Sequence, residues 1–393
     1  MATEISKVCT DGALAAAGCD PNAESVLFFV ESAGVLVGQV STPHDAGCVD
    51  GPELAARIGD TLARDIEVAR HRALISRLEP AQAPTVTATV AVCTRERPEL
   101  LAACIEGLVS AGLACCEILI VDNCPTTDRT AQVVARFPSV RYVREDRPGL
   151  NSARNCAFQH ARGEVVAFVD DDAVIDPDWL DRLLTPFHDP EVLAVTGLTL
   201  PLELRTPSQQ HFERLSGFTR RGFKRRTFCW PAHHPLSTGM VGAGVNMAVR
   251  RDALAILGGF DPALDAGTPT RSGGDHEYFA RILRAGYKIV YEPRAVNRHC
   301  HRQTWPDLED VFLAYGVGTY AYWTRLLLVD REVGVFRLAW HWFFKDQGPR
   351  LLRSCLTRRR AVERRLLLAE LAGCLVGPWR YLRARRHYAR TAA

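Results

Sequence analysis

The sequence predicts an α/β protein, a mainly parallel sheet covered by helices, and three observations predict it. From residue 85 onward, apolar strands alternate with helical stretches in three successive βα units, a pattern that calls for parallel strands joined by crossover helices. The run Val165-Val-Ala-Phe-Val169 is wholly apolar and stops at Asp170-Asp171-Asp172, as a buried strand does when its carboxyl end reaches a binding crevice. Beyond residue 306 the text becomes amphipathic and helical, rich in Trp, Tyr and Arg.

Taken in order, residues 26–40 (VLFFVESAGVLVGQV) read as a β-hairpin turning at Ser-Ala-Gly, and residues 52–79 as a helix. Together they form an N-terminal accessory region, 1–80, of α+β character. The stretch Pro80-Ala-Gln-Ala-Pro84 has the composition of a linker. The main domain is expected over 85–305, with a first half over 85–180 and a second over 181–305. Its first half predicts a strand over 87–93, a helix over 98–110, a strand over 117–121, a helix over 127–137 and a short strand over 141–143. A helix over 152–162 and the strand over 165–169 complete it. Residues 306–393 form the C-terminal helical region.

Composition sets outer bounds. At 393 residues, 47% hydrophobic and 24% charged, the chain can bury one large core plus additions. A formal charge of +3 is too mild to argue for nucleic acid, which needs a strong or clustered field. The basic residues do cluster locally, at Arg220, Arg221, Lys224, Arg225 and Arg226, and again at Arg358, Arg359, Arg360, Arg364 and Arg365. Each knot suits a solvated face or a phosphate or anionic surface. The 13 cysteines, Cys115-Cys116 among them, lack paired CxxC units and are scattered through apolar segments, so free thiols in a reducing compartment are expected. The first residues carry Glu4 and Asp11 and no secretory pattern. The longest uncharged apolar stretch, about residues 311–324, falls short of the roughly 18–20 residues a span requires. A cytoplasmic location follows, with the inner membrane face open as a peripheral site.

In a parallel sheet, residues that follow each strand converge on one edge. Here those are Thr94 and Arg95, Asp122 and Asn123, and Asp170, Asp171 and Asp172. Alternate carboxylates at a strand mouth can share a divalent cation such as Mn²⁺ or Mg²⁺, which favours hard oxygen ligands and nucleotide phosphates. The same three acids could simply cap the turn near Asp176-Pro177-Asp178, but a cation is the simplest neutraliser of adjacent like charges beside a buried strand.

The order of CTRERPELL (93–101), VDN (121–123), RPGLNSARN (147–155) and VAFVDDDAVIDPDWL (166–180) resembles the nucleotide-binding half of family 2 glycosyltransferases of GT-A fold. GAGVNMAVRRDAL (242–254), GGFD (258–261), GGDHEYFARIL (273–283) and VNRHCHR (296–302) follow in that family's order, so the likeness runs over about residues 85–325. It implies an α/β/α sandwich, a nucleotide-sugar donor with UDP-sugar as the default, a divalent metal and inversion at the sugar carbon. Position by position, it implies that Thr94, Arg97 and Asp122 cradle the nucleoside and that Arg154 approaches base or diphosphate. Asp170 and Asp172 match the DxD carboxylates that hold metal and ribose, with Asp171 between them, and Asp275 matches the general base. One of His299 and His301 completes the metal shell.

Rival readings accompany these. Thr94 could merely end its strand, Asp122 could cap a helix, Arg154 could pair with Asp146, and Asp275 is well placed to cap the helix it begins. His276 and the loop 222–237, with Cys229-Trp230-Pro231 and His233-His234, depart from the family pattern and leave the acceptor open among small molecules, peptides and lipid-linked groups. A nucleotidyltransferase would instead show an early Gly-rich loop with lysine, which CTRERPELL lacks; a non-catalytic relative would be expected to have lost Asp275 or the triple aspartate. The C-terminal helices suit either a membrane interface, aromatics inward and arginines on the lipid, or packing on the main domain or in a homodimer.

Overall fold

A computed structural model describes residues 2–12, 14, 17–43, 48–76, 86–113, 116–355 and 361–391. The 80–84 linker, Cys115 and Arg358–Arg360 of the second basic knot lie outside the described residues. No disulfide joins cysteines among the described residues.

The hairpin forms from strands Ala23–Ser32 and Val35–Pro43, antiparallel, turning at Ala33 and Gly34, both at positive φ. A strand that the sequence reading did not anticipate, Ala2–Cys9, adds in parallel to the first. The unbroken apolar run VLFFV has a simple cause: both faces of this strand are covered. Val26, Phe28 and Val30 meet Leu54, Ile58, Leu62 and Ile66 of the helix Gly51–Ser76, which recur at four-residue spacing along one helical stripe. Leu27 and Phe29 point the other way and join the core of the main domain.

The large sheet runs Ala173–Ile175, Lys288–His299, Val192–Pro201, Asn246–Arg250, Val165–Asp170, Ala88–Thr94, Glu117–Asn123, Val140–Glu145. The last four strands are parallel neighbours, joined through helices Pro98–Ser110, Arg129–Val134 and Leu150–His160. The expected βα units thus appear within a few residues of their expected bounds. Asn246–Arg250 runs antiparallel between Val165–Asp170 and Val192–Pro201, and Val192–Pro201 pairs in parallel with Lys288–His299. Every residue of Val192–Pro201 is buried. Two apolar layers, one on each face, enclose the sheet, which is the α/β/α sandwich.

The C-terminal helices Trp305–Val329 and Ala361–Thr391 lie along one another. Their backbones meet at Gly316, Gly373 and Gly377, where a Cβ on Gly377 would stand 2.6 Å from the Val317 carbonyl. The pair also grips the main domain: Tyr381 Oη donates to Asp261 Oδ2 at 2.9 Å, and Tyr388 to the Pro148 carbonyl. Ala321, Tyr322, Trp323, Leu326 and Tyr381 are buried there.

Candidate active site

Two cavities open along the carboxyl edge of the sheet. The smaller, about 340 Å³, is lined by Thr94, Arg95, Arg97, Asn123 and Asp170–Asp172. The larger, about 830 Å³, is lined by Arg154, Arg221, Asp265, Asp275, His276 and Tyr315 among others. They share Leu150, Asp170, Ala266, Gly267, His299 and Arg302.

The small cavity is built from strand ends. Thr94 closes Ala88–Thr94 and donates through Oγ1 to Asp171 Oδ2 at 2.7 Å. Arg97, just before the helix Pro98–Ser110, reaches Asp171 Oδ1 at 3.0 Å and Asp172 Oδ2 at 3.4 Å. Asn123 clamps the RPGLN turn: its amide donates to the Arg147 carbonyl and accepts from Gly149 N–H, both at 2.8 Å. Gly149 sits at φ +114°, open to glycine but strained for a side chain. Asp122 does not line either cavity. Along Glu117–Asn123 the side chains alternate, so Asn123 shares the face of Leu119 and Val121 while Asp122 shares that of Ile118 and Ile120. Asp122 Oδ2 instead accepts from Tyr142 Oη at 2.9 Å, and burial raises its pKa. At this strand end Asn123, not Asp122, borders the cavity.

Asp170 ends Val165–Asp170, and the short strand Ala173–Ile175 pairs antiparallel with Asn297–His299, laying Ala173 opposite His299. That pairing brings Asp172 beside His299, Oδ1 to Nε2 at 3.4 Å. Ligand atoms of Asp170, Asp172 and His299 all lie within 4.8 Å of one another. Burial, then the neighbouring Asp172, pushes the Asp170 carboxyl up to about 7 despite the pull of Arg154. Burial lowers the His299 imidazole to about 4, and its Nδ1 is buried without a hydrogen-bond partner. Two carboxylates and a neutral imidazole are a donor set that fits Mn²⁺ or Mg²⁺ with sites left for phosphate oxygens, and a cation would relieve the charge repulsion that lifts Asp170. His301 is outside the cluster. The chain leaves the strand at His299, and His301 turns to Glu213, Nε2 to Oε2 at 2.9 Å, against the Phe212 ring.

Arg154, on the helix Leu150–His160, lines the larger cavity. It does not pair with Asp146, which Arg144 holds at 2.6 Å. Its guanidinium is buried, bonded to Asp265 Oδ2 at 2.7 Å and Asn151 Oδ1 at 3.1 Å, over the Phe260 ring. Asp265, absent from the expected set, sits at φ +82° in the loop before the next helix, a strained backbone of the kind found at functional sites.

Asp275 lies in the first turn of the helix Gly274–Arg284; the cap position itself is Gly273 at φ +98°. Its Oδ2 accepts from Gly244 N–H at 2.7 Å and its Oδ1 from His276 N–H at 2.8 Å. Burial would raise this carboxyl, but His276, Arg154 and those two N–H donors outweigh it and hold the pKa below the usual carboxylate range. The helix amino terminus favours the same charge. Asp275 is thus an ionised carboxylate lining the larger cavity.

The family model of glycosyl transferase family 2 matches residues 89–254. Within that stretch the chain is similar to the glycosyl transferases of family 2. The succinoglycan biosynthesis protein ExoM of Rhizobium meliloti is 29% identical over 221 residues, 54% of this chain and 66% of that protein. Glucosyl-dolichyl phosphate glucuronosyltransferase of Haloferax volcanii is 26% identical over 234 residues, 54% of this chain and 68% of that one. Among solved structures, the mannosyltransferase PcManGT of Pyrobaculum calidifontis, in complex with GDP-Man and Mn²⁺, superposes with a TM-score of 0.51 at 17% identity, covering 77% of this chain and 90% of that one. The architecture is the GT-A fold.

Proposed function

We propose that this glycosyltransferase moves a sugar from a nucleotide-sugar donor in the smaller cavity to an acceptor hydroxyl in the larger, with inversion and with Asp275 as the general base. The observation that carries the reading is the junction of the two cavities, where Asp170 and His299 border both while Asp275 lines only the acceptor side. Asp170, Asp172 and His299 would hold a divalent cation, which supplies Lewis-acid stabilisation of the departing diphosphate. Thr94 and Arg97 fix Asp171 and so the turn that presents those carboxylates. Arg95 and Asn123 line the nucleoside end. Arg302 borders both cavities and puts a positive charge where the diphosphate would lie. Asp275, held ionised, takes the acceptor proton as the hydroxyl attacks. The neighbouring Asp265 is bound to Arg154, which leaves Asp275 rather than Asp265 to take the acceptor proton in a single displacement without a covalent sugar intermediate.

UDP-sugar is the first donor to test. A thermal-shift panel of UDP, GDP and dTDP with and without Mn²⁺ reads the donor base, since selective binding raises the midpoint by mass action. One nucleotide should stabilise the protein in a Mn²⁺-dependent manner; no response to any of the three sinks the donor reading. NMR of the product anomer tests the displacement, and retention of configuration would overturn inversion.

The C-terminal helices support a second element of the reading, contact with an anionic membrane surface. No helix among the described residues is long and apolar enough to cross a bilayer. The segments Gly334–His341 and Trp342–Gln347 nevertheless expose Val333 (70%), Phe336 (64%), Trp340 (66%), Phe343 and Phe344. Arg337 lies among them in sequence, and Lys345, Arg350 and Arg353 follow. Trp342 of the same stretch lines the acceptor cavity. An apolar patch with aromatic and basic residues fits the interfacial region of a bilayer, and here it would bring a membrane-borne acceptor to the cavity mouth.

A further inference from the structure

We propose that Arg221 seats an anionic group of the acceptor, a phosphoryl or carboxylate group, beside the proton-accepting Asp275. The inference rests on the reading above in taking the larger cavity as the acceptor's.

Arg221 closes the turn Phe218–Arg221 and lines that cavity. Its Nη2 donates to the Gly242 carbonyl at 2.7 Å and its guanidinium lies 5.6 Å from the Phe218 ring centroid. Its Nε is buried with no hydrogen-bond partner. Several guanidinium groups around the site have carboxylate partners, Arg154 with Asp265, Arg271 with Asp310, and Arg281 and Arg325 sharing Glu277, while Arg302, which borders both cavities, stands in the diphosphate position proposed above. Among the described residues Arg221 makes no ion pair, whereas two other members of its basic knot do, Lys224 with Asp65 and Arg225 with Glu292. A guanidinium cannot shed its proton in a protein, and leaving one partly buried without a counter-ion is unfavourable. An oxyanion arriving in the cavity would supply the missing partner through the planar fork that suits carboxylate and phosphate.

The position is as telling as the missing partner. The strip Gly242-Ala243-Gly244 accepts Arg221 at one end and donates to Asp275 at the other. A ligand anion on Arg221 is therefore tethered within one short stretch of backbone from the base. Serving only as a counter-charge to Asp275 is a weaker account, because His276, Arg154 and two backbone N–H groups already hold that carboxylate. Phe218 lies against Arg221, and Tyr315 and Trp342 add aromatic rings to the wall of the same cavity. The acceptor class this describes is an oxyanion carried next to an apolar or ring-bearing body.

The test uses the full chain and small probes, inorganic phosphate and acetate, titrated against the melting temperature of wild type, R221Q and R221K. Nonspecific salt stabilisation and phosphate held at the Asp170 cluster are common to all three proteins, so the readout is the difference between them. For at least one probe we expect R221Q to require about ten-fold higher concentration for the same shift, as loss of a charge-assisted bidentate contact implies. R221K should fall between the two, and which probe responds tells phosphoryl from carboxylate. Identical titrations of wild type and R221Q with both probes overturn the proposal. Should R221Q fail to fold, R221K decides alone, and wild-type behaviour in it is the refuting result. The nucleotide panel above fails or succeeds separately, because it reads the other cavity.

Discussion

Replacing Asp275 with Asn separates a catalytic role from a structural one. Asp275 accepts one backbone N–H on each oxygen, from Gly244 and from His276. An asparagine keeps one acceptor oxygen and places an NH₂ against the second N–H, so one of those donors is left unsatisfied whichever way the amide turns. Gly244 is buried, and stranding such a group costs about 1–3 kcal/mol, which D275N should show as reduced stability in denaturant. The same substitution removes the base, for which the expected loss is roughly 10²–10⁴-fold in turnover. Asp275 lines the larger cavity and not the smaller, so affinity for the nucleoside diphosphate should hold within a few-fold. The assays are release of nucleoside diphosphate from the donor with Mn²⁺ present, and nucleotide titration of the same protein. Turnover within ten-fold of wild type would refute the base assignment, and a collapse of nucleotide affinity would make Asp275 a structural residue.

Asp172→Asn removes one charged oxygen from the candidate cation site at nearly constant volume; it should keep the fold while abolishing the Mn²⁺-dependent thermal shift and the transfer, and wild-type activity in it or in excess chelator would sink the assignment. Glu370, which borders the acceptor cavity and accepts from Gln347 at 2.8 Å, is pushed up to about 7, chiefly by burial. A carboxyl whose folded pKa is raised binds its proton more tightly folded than unfolded, so its share of stability is present below about 4.5 and is lost as pH rises towards 7. Glu370→Gln should therefore raise the melting temperature at pH 8 and leave it nearly unchanged at pH 5, whereas equal shifts at both would refute it. The full chain should co-sediment with anionic vesicles at low salt and a Trp340→Ser, Phe344→Ser variant should do so less; a wild-type protein left in the supernatant refutes membrane contact, and a concentration-dependent dimer lost in that variant would assign the patch to a second copy instead.

What the sequence made legible follows strand geometry. The run VVAFV before three aspartates could be placed because a fully buried strand has a composition of its own; Thr94 and Asp170–Asp172 follow from strand ends, whereas Arg97 came from the family resemblance alone. Parity along a strand decides finer matters. Asn123 rather than Asp122 borders the cavity because it shares the face of Val121, a distinction that V-D-N carries only once one knows which face meets the helix Leu150–His160. His299 and His301 would share a face if the strand continued, but it ends at His299, and the two imidazoles part company there. Asp265 and Arg221 gave no local signal, since a left-handed loop residue and an arginine in a basic knot acquire meaning only through contacts 111 residues apart or across a turn. The strand Ala2–Cys9 lacked a signal for another reason: it lies at a sheet edge with every residue at least partly exposed, so it has little apolar contrast.

The division of labour between the cavities also explains why the acceptor was harder to read than the donor. The donor side is lined from within residues 93–302, by strand ends whose positions the fold dictates. The acceptor side adds Tyr315, Trp342 and Glu370 from helices beyond residue 305, outside the 89–254 span that the family model matches. Those helices are fixed to the main domain by Tyr381 on Asp261 and Tyr388 on Pro148, the latter at the turn that Asn123 clamps. A shift in the C-terminal pair would therefore reach both cavities at once, through the acceptor wall directly and through the RPGLN turn on the donor side. On the proposed assignment of the cavities, acceptor choice depends on helix packing, and substitutions at Gly316 or Gly373, where the two helices touch, should alter acceptor use and, through the RPGLN turn, nucleotide affinity as well.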